Sequence, residues 1–272
     1  MTGGKKLHGL TRRLRVGAAA SAAVAALLIA IGIVAGMVIE RSRHGAGLAA
    51  TQAATDIDDE AFGNRVRTYI LDHPEILQEA ARRLRAHAAA DTAARDRQAI
   101  DENHQALFAD PMSPVGGNPE GAVTLVEFFD YNCPYCRRAA PTLEALKAKD
   151  PDLRIVYKEF PILGEGSAFA ARAALAADRQ GRYEEFHNAL MKSPSRVSEQ
   201  VVMEIAAQSE LDVDRLRLDM NDPEIAQAIR RNLDLARTLR LTGTPGFVVG
   251  KHIFRGIVDE QTLQALIKRA RG

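Results

Sequence analysis

The 272-residue chain holds two cysteines, and they stand one helical turn apart in the tetrapeptide Cys133-Pro134-Tyr135-Cys136. A thiolate attacks a disulfide sulfur through a mixed-disulfide intermediate, so two thiols at this spacing can pass a disulfide to another protein or take one from it. The same pair is also half of a metal site. Zinc wants four ligands and there is no second cysteine pair, whereas soft Cu(I) is held by two thiolates. Thiol–disulfide exchange is the first expectation, a copper-binding chaperone using the same two cysteines is the alternative, and a disulfide that merely staples a turn is a third reading.

The flanking residues say which sulfur does what. Val123, Leu125 and Phe128 stand among β-formers and suggest a strand, while Asn132, Pro134 and the Ala, Leu, Lys and Arg content after Cys136 predict a helix that starts at once. The cysteines then sit at a helix N-terminus, where unsatisfied N–H groups and the positive end of the dipole favour an anion. Cys133 is expected to be the attacking thiolate and Cys136 the shielded thiol that resolves a mixed disulfide.

Further residues bear on this chemistry. Glu127 lies in the apolar strand six residues before Cys133, where a buried carboxylate would relay the Cys136 proton; on an edge strand it would face solvent instead. Lys158 is read either as its ion partner or as an exposed lysine at a strand end. Pro141, five residues after Cys136, removes a helix hydrogen bond and should kink the helix. Thr244-Pro245 stands between a glycine and the β-rich run Gly-Phe-Val-Val-Gly. A cis proline there would bring its loop against the cysteine turn and offer backbone to an extended substrate, whereas a trans one would be an ordinary loop residue. His187 and His252 have no ligand-like neighbours and are read as structural or surface residues.

Together, Glu127, the Cys-Pro-Tyr-Cys turn, Pro141 and Thr244-Pro245 resemble the DsbA family of thioredoxin-fold thiol–disulfide oxidoreductases. The string Val-Glu-Phe-Phe-Asp-Tyr-Asn-Cys-Pro-Tyr-Cys is most similar to the ScsC-like (suppressor of copper sensitivity) subgroup. The likeness runs roughly from residue 114 to the C-terminus and, more weakly, over residues 61–85. It implies an α/β thioredoxin fold with an inserted helical domain at about residues 165–240, and a site made of Cys133, Cys136, Glu127, Thr244 and Pro245. It further implies no cofactor, exported cysteine-containing protein substrates and a Dsb-type membrane redox partner. DsbA itself has histidine where this chain has Tyr135, so the resemblance implies a weaker oxidant here.

The remaining elements must carry this site. Residues 1–15 are a basic, cytoplasmic segment, and residues 16–39 contain no charge. As a helix that stretch spans about 36 Å against a hydrocarbon core of about 30 Å. The preceding lysines and arginines predict a single-pass inner-membrane anchor, with everything after residue 40 facing the periplasm; a cleaved signal peptide and a secreted form are the alternative. Export suits a dithiol that must stay oxidisable. Residues 40–57 read as a tether.

Residues 58–109 are helical, with apolar stripes at Phe62, Val66, Tyr69 and Ile70 and at Ile76, Leu77, Ala80, Leu84 and Ala88, broken at Asp72-His-Pro-Glu. They hold too few large apolar side chains for a core of their own, so they must be covered by the catalytic domain or by another subunit. Resemblance to ScsC-like proteins implies homo-oligomerisation through this segment. Residues 110–272 form the catalytic domain, entered through the turn-rich residues 110–119. They include a strand at 153–160, helices over 168–241, a hairpin turning at Gly250-Lys251 and a closing helix at 259–271. A net charge of +1 gives no basis for nucleic-acid binding.

Overall fold

In the computed structural model of the chain, residues 59–271 are described, so the apolar stretch 16–39 and the tether after it lie outside the described residues. Among the described residues no helix is long and apolar enough to cross a membrane.

The chain divides after Arg82 into two units. The first contributes helix α1 (Asp59–Asp72) and the start of α2 (Glu75–Glu102). Pro74 cannot continue α1, and His73 ties itself to the new helix through Glu75, at 3.1 Å. No residue of α1 is buried, and Phe62, Val66, Tyr69, Leu71, Ile76 and Leu77 are all exposed. Of the expected stripes, Phe62, Val66, Tyr69, Ile76, Leu77 and Leu84 are exposed and Ile70 is half-buried.

The second unit is built on a five-stranded sheet of β1 (Val115–Gly117), β2 (Val123–Phe129), β3 (Leu153–Glu159), β4 (Gly246–Val249) and β5 (His252–Arg255), in the order β1-β3-β2-β4-β5. Only β2 and β3 run parallel, and helix α4 (Pro134–Lys149) makes the crossover that parallel strands require. Pro141 lies inside α4. Five helices follow β3 as a lobe: α5 (Glu165–Asp178), α6 (Tyr183–Lys192), α7 (Glu199–Gln208), α8 (Val213–Asp219) and α9 (Pro223–Thr238). Helix α10 (Glu260–Arg271) closes the chain after the β4–β5 hairpin, whose turn uses Gly250 at φ +56°. Strand β1 was not expected from the turn-rich residues 110–119; its Val-Gly-Gly has no apolar run and is a strand because β3 pairs with it.

Register decides which side chains share a face. Glu127 stands opposite Tyr157, and Phe128 opposite Lys158. Val123, Leu125 and Phe129 therefore pack with α4, α5, α6 and α10 on one face, while Val126, Phe128 and Val156 pack on the other with Ile100, Leu107, Leu235 and Leu239. The end of α2 and helix α3 (His104–Phe108) thus bury their apolar residues on the catalytic domain. Polar anchors fix them: Arg255 grips the Asp96 carboxylate with two nitrogens at 2.8 and 3.1 Å, and Arg154 donates to the Phe108 carbonyl at 3.0 Å.

Register also corrects both readings of Lys158. It cannot pair with Glu127, because consecutive strand residues point to opposite faces, and it is not exposed. Its ammonium is buried, donates to the Ala106 carbonyl and to Ser113 Oγ at 2.6 Å each, and lies 3.4 Å from Asp110 Oδ2. Burial lowers its pKa to about 8, against the opposing pull of Asp110.

Candidate active site

Strand β2 delivers the chain to a short turn, Asp130-Tyr131-Asn132, after which Cys133 takes the N-cap of α4 with φ −80° and ψ 117°. Pro134 occupies the first helical position, where a missing N–H costs nothing. The two thiols are free, and both are buried, Cys133 at 4% exposure and Cys136 at 0%. The expected contrast of an open Cys133 and a shielded Cys136 is thus one of electrostatics more than of access.

The Cys133 pKa falls to about 5. The largest cause is the hydrogen bond from the Cys136 thiol, followed, against burial, by the Thr244 side chain and the N–H groups of Cys136 and Tyr135. Cys136 moves far the other way: burial, the bond it gives to Cys133 and the charge of Glu127 all oppose its ionisation. Cys133 Sγ lies 3.2 Å from the Thr244 carbonyl, and the Thr244–Pro245 bond is cis.

Glu127 is buried below this pair on the same face of the sheet. Burial and the nearby Cys133 charge raise its pKa to about 8, with Lys147 opposing, and its Oε1 has no partner. Such a carboxyl holds its proton at neutral pH and can release it when a neighbour needs one. The structure therefore brings Cys133, Cys136, Glu127, Thr244 and Pro245 into one site. His187 lies in the core, 3.1 Å from the Tyr131 hydroxyl, with its pKa lowered to about 3 by burial and Lys147. His252 is exposed.

Sequence reasoning missed a second ring of residues. Asp130, Asn132 and Arg137 bind the turn to the helical lobe, and Glu159 accepts from the hydroxyls of Tyr131 and Tyr183 at 3.0 and 2.9 Å in the core. Two signals were present. Asp130 follows an apolar strand with no break, and Arg137 places a cation in the first turn of a helix, where the dipole disfavours it. At the surface, Tyr135 is exposed with the Arg138 guanidinium 4.7 Å above its ring, and Ile162 and Leu163 are exposed as well.

A parallel β2-α4-β3 unit joined to an antiparallel hairpin, an acidic cysteine at a helix N-terminus and a cis-proline loop against it define a thiol–disulfide oxidoreductase of thioredoxin fold. Comparison with known proteins agrees: the DSBA-like thioredoxin domain matches residues 124–268, and the N-terminal domain of copper resistance protein ScsC matches residues 58–90. The chain belongs to the DSBA-like thioredoxin family. A thioredoxin-like oxidoreductase from Silicibacter pomeroyi DSS-3 is 52% identical at a TM-score of 0.61, the match covering 62% of this chain and 98% of that one. The catalytic domain of Proteus mirabilis ScsC is 31% identical at a TM-score of 0.60, covering 64% of this chain and 98% of that one. Among curated proteins, Na(+)/H(+) antiporter NhaA 3 of Salinispora tropica is 31% identical over 166 residues, which are 59% of this chain. The chain spans about a quarter of that antiporter's length, 26%.

Proposed function

We propose that this chain is an exported, membrane-tethered enzyme that oxidises or isomerises disulfides in cell-envelope proteins through Cys133 and Cys136. In the reductive direction the Cys133 thiolate attacks a substrate disulfide, one substrate sulfur leaves as thiolate, and a mixed disulfide forms. In the mixed disulfide Cys133 carries no charge, which eases the ionisation of Glu127; Glu127 releases its own proton to solvent and takes that of Cys136, whose thiolate attacks Cys133, closing the Cys133–Cys136 disulfide and releasing the second substrate thiolate. Oxidation of a substrate dithiol is the same sequence reversed, with the two electrons passing to the cysteine pair. Thr244 stabilises the Cys133 thiolate, and the loop at Pro245 offers backbone to the substrate. No cofactor enters any step.

The observation that carries this reading is the opposed acidity of two thiols one turn apart: a sulfur ionised at neutral pH beside one that is not. Residues 16–39 are proposed as the anchor that leaves residues 40–57 as a periplasmic tether. That the matching stretch of a curated relative belongs to an antiporter supports a membrane setting. The uncovered stripe of α1 and early α2 supports self-association through residues 58–109, with residues 110–272 as the catalytic domain and a Dsb-type membrane protein as redox partner.

The test is turnover of a scrambled-disulfide protein together with trapping by Cys136→Ala, which removes the resolving thiol. Turnover by the wild type and mixed disulfides at Cys133 in the variant are expected. Stoichiometric Cu(I) binding without turnover would replace this reading by the copper chaperone.

A further inference from the structure

The residues that frame the cysteines are spent on the helical lobe. Asp130, almost wholly buried, accepts four hydrogen bonds. Its Oδ2 takes the N–H groups of Ile162 and Leu163 at 2.8 and 2.9 Å, and its Oδ1 takes the Asn132 N–H and the Ser167 hydroxyl at 2.7 Å each. Asn132 imitates a backbone pair with Val197, accepting its N–H at 2.8 Å and donating to its carbonyl at 3.0 Å, and it also donates to Ser167 Oγ at 3.1 Å.

Arg137 spreads its guanidinium over three carbonyls, those of Tyr131 at 2.8 Å, Ser193 at 2.8 Å and Ser195 at 3.0 Å. Arg196 closes the circuit between the two lobe loops by donating to the Leu163 carbonyl at 2.8 Å. Packing there is tight: a Cβ on Gly166 would stand 2.3 Å from the Val197 carbonyl oxygen.

Two facts argue that this array does more than hold the fold together. A buried carboxylate and a guanidinium against the helix dipole are costly choices for mere packing, and charge-assisted bonds of this number fix geometry strongly. The loops they fix, residues 161–164 and 193–197, otherwise belong to the most easily displaced part of a fold, and the first carries the exposed Ile162 and Leu163 beside the cysteine turn.

We propose that Asp130, Asn132 and Arg137 are positioning residues that hold these two loops at a fixed place beside Cys133, and so favour disulfides within polypeptide chains over small-molecule disulfides. This rests on the exchange reaction proposed above. A polypeptide must lay the residues flanking its cysteine along the loops while its sulfur reaches Cys133, so a displaced loop misaligns it. A small disulfide makes no use of the loops.

The experiment uses the reduced full chain with two separate variants. Asn132→Ala opens the clasp from the active-site side. Gly166→Ala presses on the Val197 carbonyl from the lobe side and leaves residues 130–137 intact. For each, the single-turnover oxidation of the reduced chain is followed against the concentration of a scrambled-disulfide protein and of oxidised glutathione, kcat/KM being the initial slope and KM the half-saturating concentration, alongside the pH midpoint of Cys133 alkylation. The preference for the protein over glutathione is expected to fall roughly tenfold or more, through KM, as misplacement by an ångström does elsewhere. The alkylation midpoint is expected to stay where it was.

A preference unchanged in the folded variants overturns the proposal, and so does a moved midpoint that accounts for the loss. If circular dichroism shows Asn132→Ala unfolded, Gly166→Ala and Ser167→Ala decide on the same criterion. A wild type that exchanges neither disulfide would instead remove the underlying reaction.

Discussion

Replacing Glu127 by glutamine should remove a pH slope from the stability of the reduced protein, so that the variant gains on the wild type as pH rises. Folding raises the Glu127 pKa from 4.5 to about 8. Between those values the folded chain keeps a proton that the unfolded chain releases, so the folded state binds more protons and stability falls as pH rises. The loss is complete above the folded pKa and absent below pH 4.5. Each pH unit is worth about 1.4 kcal/mol, so at pH 7 the wild type has given up about 3 kcal/mol.

Glutamine has no proton to keep and escapes this slope. Its extra amide N–H, set where Oε1 has no partner, adds a penalty of about 1–3 kcal/mol that does not vary with pH. The informative quantity is therefore the difference of slopes. Urea unfolding of reduced wild type and Glu127→Gln at pH 4.5 and 7 should show the variant's midpoint rising by about 1.5 M relative to the wild type's toward neutral pH, taking m as about 2 kcal/mol/M. In the oxidised protein, where Cys133 carries no charge, this relative rise should be smaller. Parallel midpoints across this range would refute the assignment of a buried, proton-retaining carboxyl at 127.

Iodoacetamide should modify Cys133 before Cys136, with a rate that titrates near pH 5; a midpoint near the ordinary thiol value of 9.0 would contradict the helix-terminus account. Because that pKa is depressed in the folded state, the stability it contributes is complete above pH 9.0 and is lost as pH falls toward about 5. Lys158→Met should destabilise the fold by about 3 kcal/mol at pH 7, since it leaves the Asp110 carboxylate to the more distant Arg231 guanidinium at 3.9 Å, and adding Asp110→Asn should recover much of it; an undiminished urea midpoint in the single variant would mean the pair is idle. A soluble protein beginning at residue 56 should self-associate by light scattering, while one beginning at residue 83 should be monomeric; two monomers would show that the exposed stripe has no partner of its own kind.

The cysteine pair, Glu127 and the proline loop were legible because each breaks a local rule: a thiol at a helix start, a carboxylate in an apolar strand, a proline before a β-run. Their strand–turn–helix setting follows from local propensity, and so does the β4–β5 hairpin. Long-range pairing was not legible. Lys158 looked like a partner for Glu127 until the register opposite Phe128 put it on the other face, and β1 has no strand signature apart from β3. Asp130, Asn132 and Arg137 could be noticed as oddities, but their partners come from loops up to 65 residues away in the chain, which no local pattern reveals.

The in-register pairing of β2 with β3 has one more consequence. On one side of the sheet lie the thiols and Glu127; on the other, Lys158 and Asp110 neutralise each other against the end of α2 and α3. The groups that shift Cys133, Cys136 and Glu127 belong to the thiol side, and those that shift Lys158 belong to the other. The charges that hold the end of α2 and α3 on the catalytic domain are therefore a different set from those that tune the thiols.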